Sequence, residues 1–499
     1  MSATTLLLGV HLLDPRHEVD AIGDVLITDG VVKKIDAPGS GALWLEHPDN
    51  GALATFVIDQ AEHAHELLLT PGLVDIHTHS FGAAGVTRLD EVGTEVGVPI
   101  IADAGGAGAA TIDDFVSCRT SSAKTLVKNF LSIESGGITE THRAHNMTRS
   151  ATAMTTSSLD TFLRAIERHE SSVVGLKVWA SAAAGHRWID HAANLSEMIG
   201  LPMLVHVGEL GDPDATAISG EVVDRLQGGD IVTHSFTGQP GALISEEGKI
   251  LPEVVAARGR GVLFDIAPGE QNLSFDRAEA AMSQGWLPDT ISSDAHRWSR
   301  ERNASMALPH VMGMFLALGL SLNRTIECAS SKAADAIGIS TGELRVGAPA
   351  TLSLLARQQT TTIFSDGERS ISGSESLIPV GSFLYGAWTE AGAADPDDDA
   401  DDHRSMEALS EYRAFFAALS GELAYHQLHD SHWRGEELHK LVHRARADCG
   451  LDIAGALSAL HGALAEEEAP PIAAGWLLEQ LGAFETLERL ELVLAESSA

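Results

Sequence analysis

Apolar and polar positions along the chain follow two alternating patterns. Residues 24–35 alternate apolar and polar side chains around Asp29-Gly30, a dipeptide that tolerates the positive φ angles of a tight hairpin turn. From Leu68 the pattern changes to short apolar runs separated by helical stretches, and residues 347–385 return to strand and turn character. We therefore expect the two flanking stretches to pair as one small β domain.

Eight apolar runs follow one another in the central stretch, at residues 72–76, 98–102, 125–133, 173–178, 203–207, 231–233, 261–266 and 290–293. Strands that are apolar on both faces and alternate with helices are typical of a parallel sheet, and about eight of them close into a barrel. The predicted fold class is α/β, with a (β/α)8 TIM-like barrel at residues 68–344. The small β domain would comprise residues 1–67 and 345–390, so the barrel would be inserted within it.

The remainder of the chain changes character twice. Residues 395–402 hold six aspartates around one proline and one alanine, and such a block of like charge cannot pack, which predicts an acidic linker at 391–404. Residues 405–499 predict a helical domain of unassigned role, because apolar residues recur there at spacings of three and four. We expect its helices to break at Gly421, Gly435, Gly450 and Pro470-Pro471.

Size and charge narrow the classes of function. The 499 residues have room for a barrel of ~250 residues and further domains. The formal net charge of −37 disfavours nucleic acid and anionic membranes as partners. No run approaches the ~20 apolar residues of a membrane span and no signal-peptide pattern is present, so we expect a cytoplasmic protein. Homo-oligomerisation is left open, and the three scattered cysteines indicate no disulfide framework.

The strongest local motif is Pro71-Gly-Leu-Val-Asp-Ile-His-Thr-His79, at the start of the central stretch. Side chains two apart on a strand point the same way, so His77 and His79 can bind one metal ion from inside a barrel. Such a pair can also be structural or lie on the surface, so it is modest evidence when taken alone.

Polar residues end four further apolar runs, namely Lys177, His206, His234 and Asp294. Taken singly, each histidine could be a hydrogen-bonded core residue, and the aspartate could cap the next helix. An ammonium group that points into a barrel is costly unless it is paired or chemically altered. Their joint occurrence at strand ends, where barrel enzymes place their active sites, favours a metal centre.

With these motifs the sequence resembles the amidohydrolase superfamily and, within it, the dihydroorotase-like deacetylase branch. The resemblance covers residues 6–388 and includes the segments 103–106, 175–181, 205–209, 233–238 and 261–266. It implies two divalent metal ions, with zinc as the first expectation and manganese, iron or cobalt as alternatives. The implied ligands are His77, His79 and Asp294 for one ion, His206 and His234 for the second, and Lys177 as a carbamate that bridges both.

Four residues on the surrounding loops are expected to contact substrate, namely Trp179, Glu209, Gly269 and His296. The branch often carries arginine where this chain has Trp179, and a Gly-His-Gly turn where it has Ala267-Pro-Gly269. The metal chemistry is therefore expected to carry over better than the substrate specificity. Trp179 suits an apolar or aromatic group, although ordinary packing explains it equally well.

The predicted function is metal-dependent hydrolysis of a C–N bond, other than a peptide bond, in a small-molecule amide. Two cations would lower the pKa of a bridging water to create a hydroxide nucleophile, while Asp294 accepts its proton and passes it to the leaving nitrogen. An N-acyl amino acid is the first choice of substrate, and a cyclic amide such as dihydroorotate or a hydantoin is the second. A non-catalytic scaffold with this fold is the alternative from another class, disfavoured because all six ligand positions are filled.

Histidines also recur in the predicted helical domain. His426, His429 and His432 are spaced by three, and His439 and His443 by four, so each group can align imidazoles on a helix for a metal ion. Because no carboxylate or cysteine completes a ligand set, a solvated or interface face is the favoured interpretation.

Overall fold

Two β-sheets and their surrounding helices make up the described part of the chain. The computed structural model describes residues 4–45, 55–82, 84–121, 123–138, 156–180, 186–208, 219–392, 412–429, 433–464 and 473–496. Of the predicted acidic linker, only residues 391–392 fall within these ranges. No helix among the described residues is long and apolar enough to cross a membrane.

The first sheet joins strands from both ends of the central stretch. Its strands are β1 (Thr4–Asp14), β2 (Val19–Thr28), β3 (Val31–Asp36), β4 (Thr55–Asp59), β5 (Glu66–Pro71), β13 (Leu352–Ser365), β14 (Ser370–Leu384) and β15 (Ala387–Glu390). They are ordered β15-β14-β13-β5-β1-β2-β3, with β4 paired to β1. The turn between β2 and β3 is the expected hairpin, because Asp29 and Gly30 both have positive φ, at 53° and 77°.

The second sheet is parallel and forms the barrel wall. Its strands are β6 (Val74–Thr78), β7 (Ile100–Gly108), β8 (Leu126–Ser132), β9 (Val173–Trp179), β10 (Met203–His206), β11 (Ile231–Thr233) and β12 (Leu263–Phe264), hydrogen-bonded in chain order. Nearly all their residues are buried, which explains why the strands appear in the sequence as continuous apolar runs. The predicted α/β TIM-like barrel is confirmed.

The eighth predicted strand is present as bridges rather than as a continuous ladder. Thr290 pairs in parallel with Asp265 beyond β12, and Ala295 pairs in parallel with Thr78 of β6. The backbone N–H of Asp294 donates to the carbonyl of His77, and that of His79 donates to Ala295, both at 2.8 Å. The segment 290–295 therefore closes the sheet on itself and carries Asp294 to the first strand.

Helices cover the barrel and form the carboxyl-terminal part of the described chain. Those up to residue 336 are α1 (Ser40–Leu45), α2 (Ile112–Phe115), α3 (Leu159–Arg168), α4 (His186–Ile199), α5 (Ser219–Val223), α6 (Pro252–Gly259), α7 (Phe275–Ser283), α8 (Arg297–Arg302), α9 (Leu308–Ala317), α10 (Leu322–Ala329) and α11 (Ser331–Ala336). A π-helical turn, Val116–Thr120, follows α2. Three-residue 3-10 turns occur at Pro15–His17, Gln60–Glu62 and Thr94–Val96.

The carboxyl-terminal helices are α12 (Arg413–His429), α13 (Gly435–Asp448), α14 (Ile453–Leu464), α15 (Ala474–Leu481) and α16 (Ala483–Glu496). The expected break at Gly421 is wrong, because α12 runs through it; an isolated glycine costs a helix only about 1 kcal/mol. Gly435 begins α13, and Gly450 ends it with a φ of 69°. Pro470-Pro471 lies outside the described residues.

Candidate active site

Polar side chains from five strand ends converge inside the barrel. His77 lies in β6 and His79 directly after it, Lys177 lies in β9, His206 ends β10, and His234 follows β11. The closing segment adds Asp294. Each of the six residues is at most 5% exposed, so these polar groups contact one another rather than solvent. The structure therefore brings together all six predicted ligand positions, although they are spread over more than 200 residues of sequence.

One oxygen of Asp294 faces both histidines of the first strand. Oδ1 lies 3.4 Å from Nε2 of His77 and 3.1 Å from Nε2 of His79. One ligand atom from each of the three residues lies within 4.8 Å of the others, a spacing that a single metal ion can bridge.

A second group of side chains adjoins the first. Nζ of Lys177 lies 3.3 Å from Nε2 of His77, and the ring centroids of His77 and His234 are 5.1 Å apart. The ring of His206 lies 4.5 Å from that of His234, and its Nε2 lies 3.2 Å from the carbonyl oxygen of Gly208. Lys177 therefore lies beside His77, the imidazole at which the two groups of side chains meet.

Hydrogen bonds fix which ring nitrogen is available on two of the histidines. Nδ1 of His234 lies 2.8 Å from the carbonyl oxygen of Ala267, which can only accept, so Nδ1 carries the proton and Nε2 keeps its lone pair. Nδ1 of His77 lies 2.9 Å from the hydroxyl of Thr233, and that hydroxyl donates to Asp265 at 2.9 Å. Nε2 of His77 is therefore also available as a ligand. Such outer hydrogen bonds set the tautomer and orientation of metal-binding histidines.

The backbone at two of the proposed ligand positions is strained. His234 and Asp294 have φ angles of 63° and 52°, in a left-handed region that residues other than glycine rarely occupy, and Ala267 has a φ of 45°. Strain of this kind tends to collect where function requires an otherwise unfavourable geometry. At both ligand positions it directs a side chain from a strand end into the barrel.

Burial governs the electrostatics of the site. It is the largest cause that lowers the pKa of His79 to about 3 and that of His234 to about 4, so both imidazoles stay neutral and able to bind metal. Burial likewise lowers the pKa of Lys177 to about 8, although the negative charges of Asp294, Asp265 and Asp103 act in the opposite direction. The neutral, nucleophilic amine is therefore more populated near neutral pH than in an exposed lysine, although the ammonium form still predominates.

The residues expected to contact substrate have different surroundings. Trp179 is buried and stacks on the ring of His206, with centroids 4.1 Å apart, so it packs directly against a proposed ligand. His296 accepts a hydrogen bond from the backbone of Ser299 and caps α8, while its ring centre lies 6.1 Å from that of His79. A side chain at Gly269 would place its Cβ 2.3 Å from Oδ2 of Asp294. Glu209 lies outside the described residues.

Three residues near Asp294 or its neighbours were not singled out from the sequence. Asn272, on the loop after β12, lies 3.4 Å from Oδ2 of Asp294 through its side-chain nitrogen. Thr233 and Asp265 connect to His77 as described above. The last two lie within motifs that carried the resemblance, so a reading of those motifs residue by residue would have found them. Asn272 follows the Ala267-Pro-Gly269 turn, where this sequence differs from the Gly-His-Gly turn of the branch. No motif in the sequence therefore pointed to Asn272.

Comparisons with known proteins place these motifs in a wider group. A sequence model of the amidohydrolase family matches residues 68–373. A deacetylase from Brucella anthropi is 31% identical over 278 residues, which are 54% of this chain and 67% of that protein. A deacetylase from Agrobacterium fabrum is 30% identical over 275 residues, covering 54% of this chain and 65% of that protein. The matches thus span about two thirds of the length of these relatives.

Solved structures share the architecture. A dihydroorotase crystal structure superposes with a TM-score of 0.65 at 25% sequence identity, covering 78% of this chain and 99% of that one. An adenine deaminase structure has a TM-score of 0.66 at 21% identity, covering 78% of this chain and all of the other, and shows the fold alone.

Proposed function

The chain belongs to the amidohydrolase family, as a hydrolase that acts on carbon–nitrogen bonds, and from this premise we propose that it is a metal-dependent deacetylase of N-acyl amino acids. The observation that carries the metal requirement is the convergence of the Nε2 atoms of His77 and His79 on one oxygen of Asp294. Three such donors in a buried site are typical of transition-metal ligands rather than of a purely structural cluster.

The donor set fits two divalent ions. His77, His79 and Asp294 would hold one, and His206 and His234 would hold the other, because imidazole nitrogen and carboxylate oxygen together suit zinc, and also manganese, iron or cobalt. Neutral imidazoles with Nε2 available, as at His77 and His234, meet the requirement that ligands be deprotonated. Bound divalent ions supply Lewis acidity, which lowers the pKa of water and polarises a carbonyl group.

Asp294 is the proposed general base. Its two oxygens have separate surroundings, because Oδ1 faces the histidines whereas Oδ2 faces Asn272 and the open backbone of Gly269. Oδ2 is thereby placed to accept a proton from the attacking water and to return it to the leaving nitrogen. The Asn272 side chain lies where it can orient that oxygen.

Lys177 is the proposed bridge between the two groups of ligands. An unmodified ammonium would repel two dications, whereas the neutral amine can form an N–C bond to CO2 and release one proton, which gives a carbamate with two oxygen ligands and a negative charge. The lowered pKa of the buried amine favours that reaction. Gly105 leaves room for the Lys177 side chain, since a Cβ at position 105 would lie 2.5 Å from Cγ of Lys177.

The choice of substrate rests on the relatives. The deacetylase names of the two relatives favour a linear N-acyl amino acid or another small amide. The structural likeness to a dihydroorotase keeps a cyclic amide or imide as the second candidate. Both substrates present a carbonyl carbon bonded to nitrogen, so the same polar groups can act on either.

A turnover screen separates these candidates. Zinc-loaded protein should release the carboxylic acid from one or more members of an N-acyl amino acid library, and a parallel set of dihydroorotate and hydantoins should react more slowly. Turnover confined to the cyclic set would transfer the proposal to the second candidate. Absence of both turnover and bound metal would favour the non-catalytic scaffold.

A further inference from the structure

A second cluster of metal-ligand side chains lies where the carboxyl-terminal helices meet the barrel. Asp114 belongs to α2, which follows β7 of the barrel, while His439 and His443 lie one turn apart on α13. Nε2 of His443 is 3.1 Å from one oxygen of Asp114, and Nε2 of His439 is 3.7 Å from the other. One ligand atom from each of the three lies within 4.8 Å of the others.

The carboxylate missing from the tail sequence is therefore supplied by the barrel. The imidazole rings of His439 and His443 are 4.5 Å apart, the arrangement that a spacing of four gives on a helix. The expectation that no carboxylate completes a ligand set is wrong for these two histidines, because packing brings Asp114 to them. His439 is buried and contacts the barrel, as expected of an interface residue. The side chains of His426, His429 and His432 lie outside the described residues.

Asp114 is a buried carboxylate without hydrogen bonds to either oxygen among the described residues. Its side chain is 2% exposed, and within the described ranges neither oxygen accepts a hydrogen bond of acceptable geometry. The adjacent Asp113, by contrast, pairs with Arg168 at 3.0 Å and with His169 at 2.6 Å. Asp114 has no arginine or lysine partner of this kind among the described residues and faces only the two histidines. A buried carboxylate is costly unless a cation or metal ion compensates its charge.

One of the two histidines also contacts the barrel backbone. Nε2 of His439 lies 2.9 Å from the carbonyl oxygen of Ala110, which can only accept, so Nε2 donates its proton there. An ion can bind at Nε2 once that proton has moved to Nδ1, because a metal-binding histidine is a neutral imidazole with one free lone pair.

We propose that Asp114, His439 and His443 bind one zinc-class divalent ion, which fastens the carboxyl-terminal helices to the barrel. Two imidazole nitrogens and a carboxylate oxygen are a zinc ligand set, and a water molecule can complete a tetrahedral site beside the partly exposed His443. The site is separate in its residues from the proposed catalytic centre. We assign it a structural role, because its ligands join α13 of the carboxyl-terminal helices to α2 of the barrel.

Zinc titration of the full-length protein, after removal of metal with a chelator, tests this site. Unaltered protein should bind one more equivalent than Asp114→Asn or His443→Gln, as measured by calorimetry. Asp113→Asn is the matched control, because it removes a neighbouring carboxylate of the same charge and should keep the full number of equivalents. If the barrel bound no metal, the expected counts would be one and zero, so the two proposals can fail separately.

Equal zinc stoichiometry in all four proteins would overturn the site, as would an equal loss in Asp113→Asn. Circular dichroism checks that each variant is folded. Should Asp114→Asn fail to fold, His443→Gln carries the test, since that side chain is 23% exposed and tolerates change more readily. Cobalt titration gives an independent readout: a visible absorption band at this site should be present in Asp113→Asn and lost in His443→Gln.

Discussion

Asp294 is the residue on which the proposed chemistry depends most. Replacing it with asparagine keeps one ligand oxygen but removes the ability to accept a proton. We expect Asp294→Asn to retain most of its metal while kcat falls by about 10²- to 10⁴-fold. Metal analysis and steady-state kinetics on the same preparation measure both effects. Near-normal turnover in a folded, metal-loaded variant would exclude Asp294 as the base.

Gly269 is constrained by its contact with that aspartate. An alanine Cβ would lie 2.3 Å from Oδ2 of Asp294, in a backbone with a φ of 49°. We expect Gly269→Ala to displace the carboxylate and lower kcat strongly. Gly285→Ala is the matched control, because that glycine has a φ of 78° and nothing within 4 Å.

The control variant should lose about 1 kcal/mol of stability, from backbone strain alone, and keep its turnover. Kinetics and thermal unfolding of both variants make the comparison. Similar kcat values for the two would mean that the space beside Asp294 is not critical.

Lys177 tests a modification that no sequence encodes. Lys177→Ala should lose metal and turnover together, and a small carboxylic acid at high concentration should restore part of both by offering the same two oxygens. Lys128→Ala is the control, because that lysine lies in β8 of the same barrel but donates to the carbonyl of Ser171. An electron-density map of active, metal-loaded protein with a bare amine at position 177 would refute the bridge.

Three elements of the barrel cooperate in orienting a single imidazole. Asp265, beyond β12, accepts from Thr233 at the end of β11, and Thr233 in turn holds Nδ1 of His77 in β6. Thr233→Val removes this connection with little change in volume and should weaken metal binding by about 10- to 100-fold. Thr233→Ser keeps the hydroxyl and should bind metal nearly normally. Equal zinc affinities of the two variants in competition titrations would contradict the proposed role of the Thr233 hydroxyl in orienting His77.

The parallel strands could be predicted because burial on both faces leaves continuous apolar runs, and β9 matches its predicted run to within one residue. The segment 290–293 pairs with its neighbours through isolated bridges, and the backbone N–H of Ser293 donates to the side chain of Asp75 instead of to a strand. The ends of this strand could therefore not be predicted from the sequence. In a parallel barrel the carboxyl ends of all strands lie at the same end, so the topology alone brings ligands at strand ends together. Asp114 and His439 meet only through packing of distant helices, which periodicity does not encode.

At the scale of the molecule, one hydrophobic cluster extends from the barrel to the carboxyl-terminal helices and includes Phe115, Phe415 and Leu438. The helices therefore pack on the barrel, next to the zinc-class site proposed between them. The division into residues 1–67 with 345–390, 68–344, 391–404 and 405–499 stays a prediction. Its first limit falls within β5, which pairs with β1 and β13 in the first sheet.

The most direct test of the central claim is the dependence of hydrolysis on metal in the full-length protein. Chelator-treated protein should lose turnover of its best N-acyl amino acid substrate, and added zinc should restore turnover in proportion to the ions bound in the barrel. Asp114→Asn or His443→Gln protein, if folded, removes the contribution of the second site from that count. Full turnover by protein that elemental analysis shows to be free of metal would contradict the account.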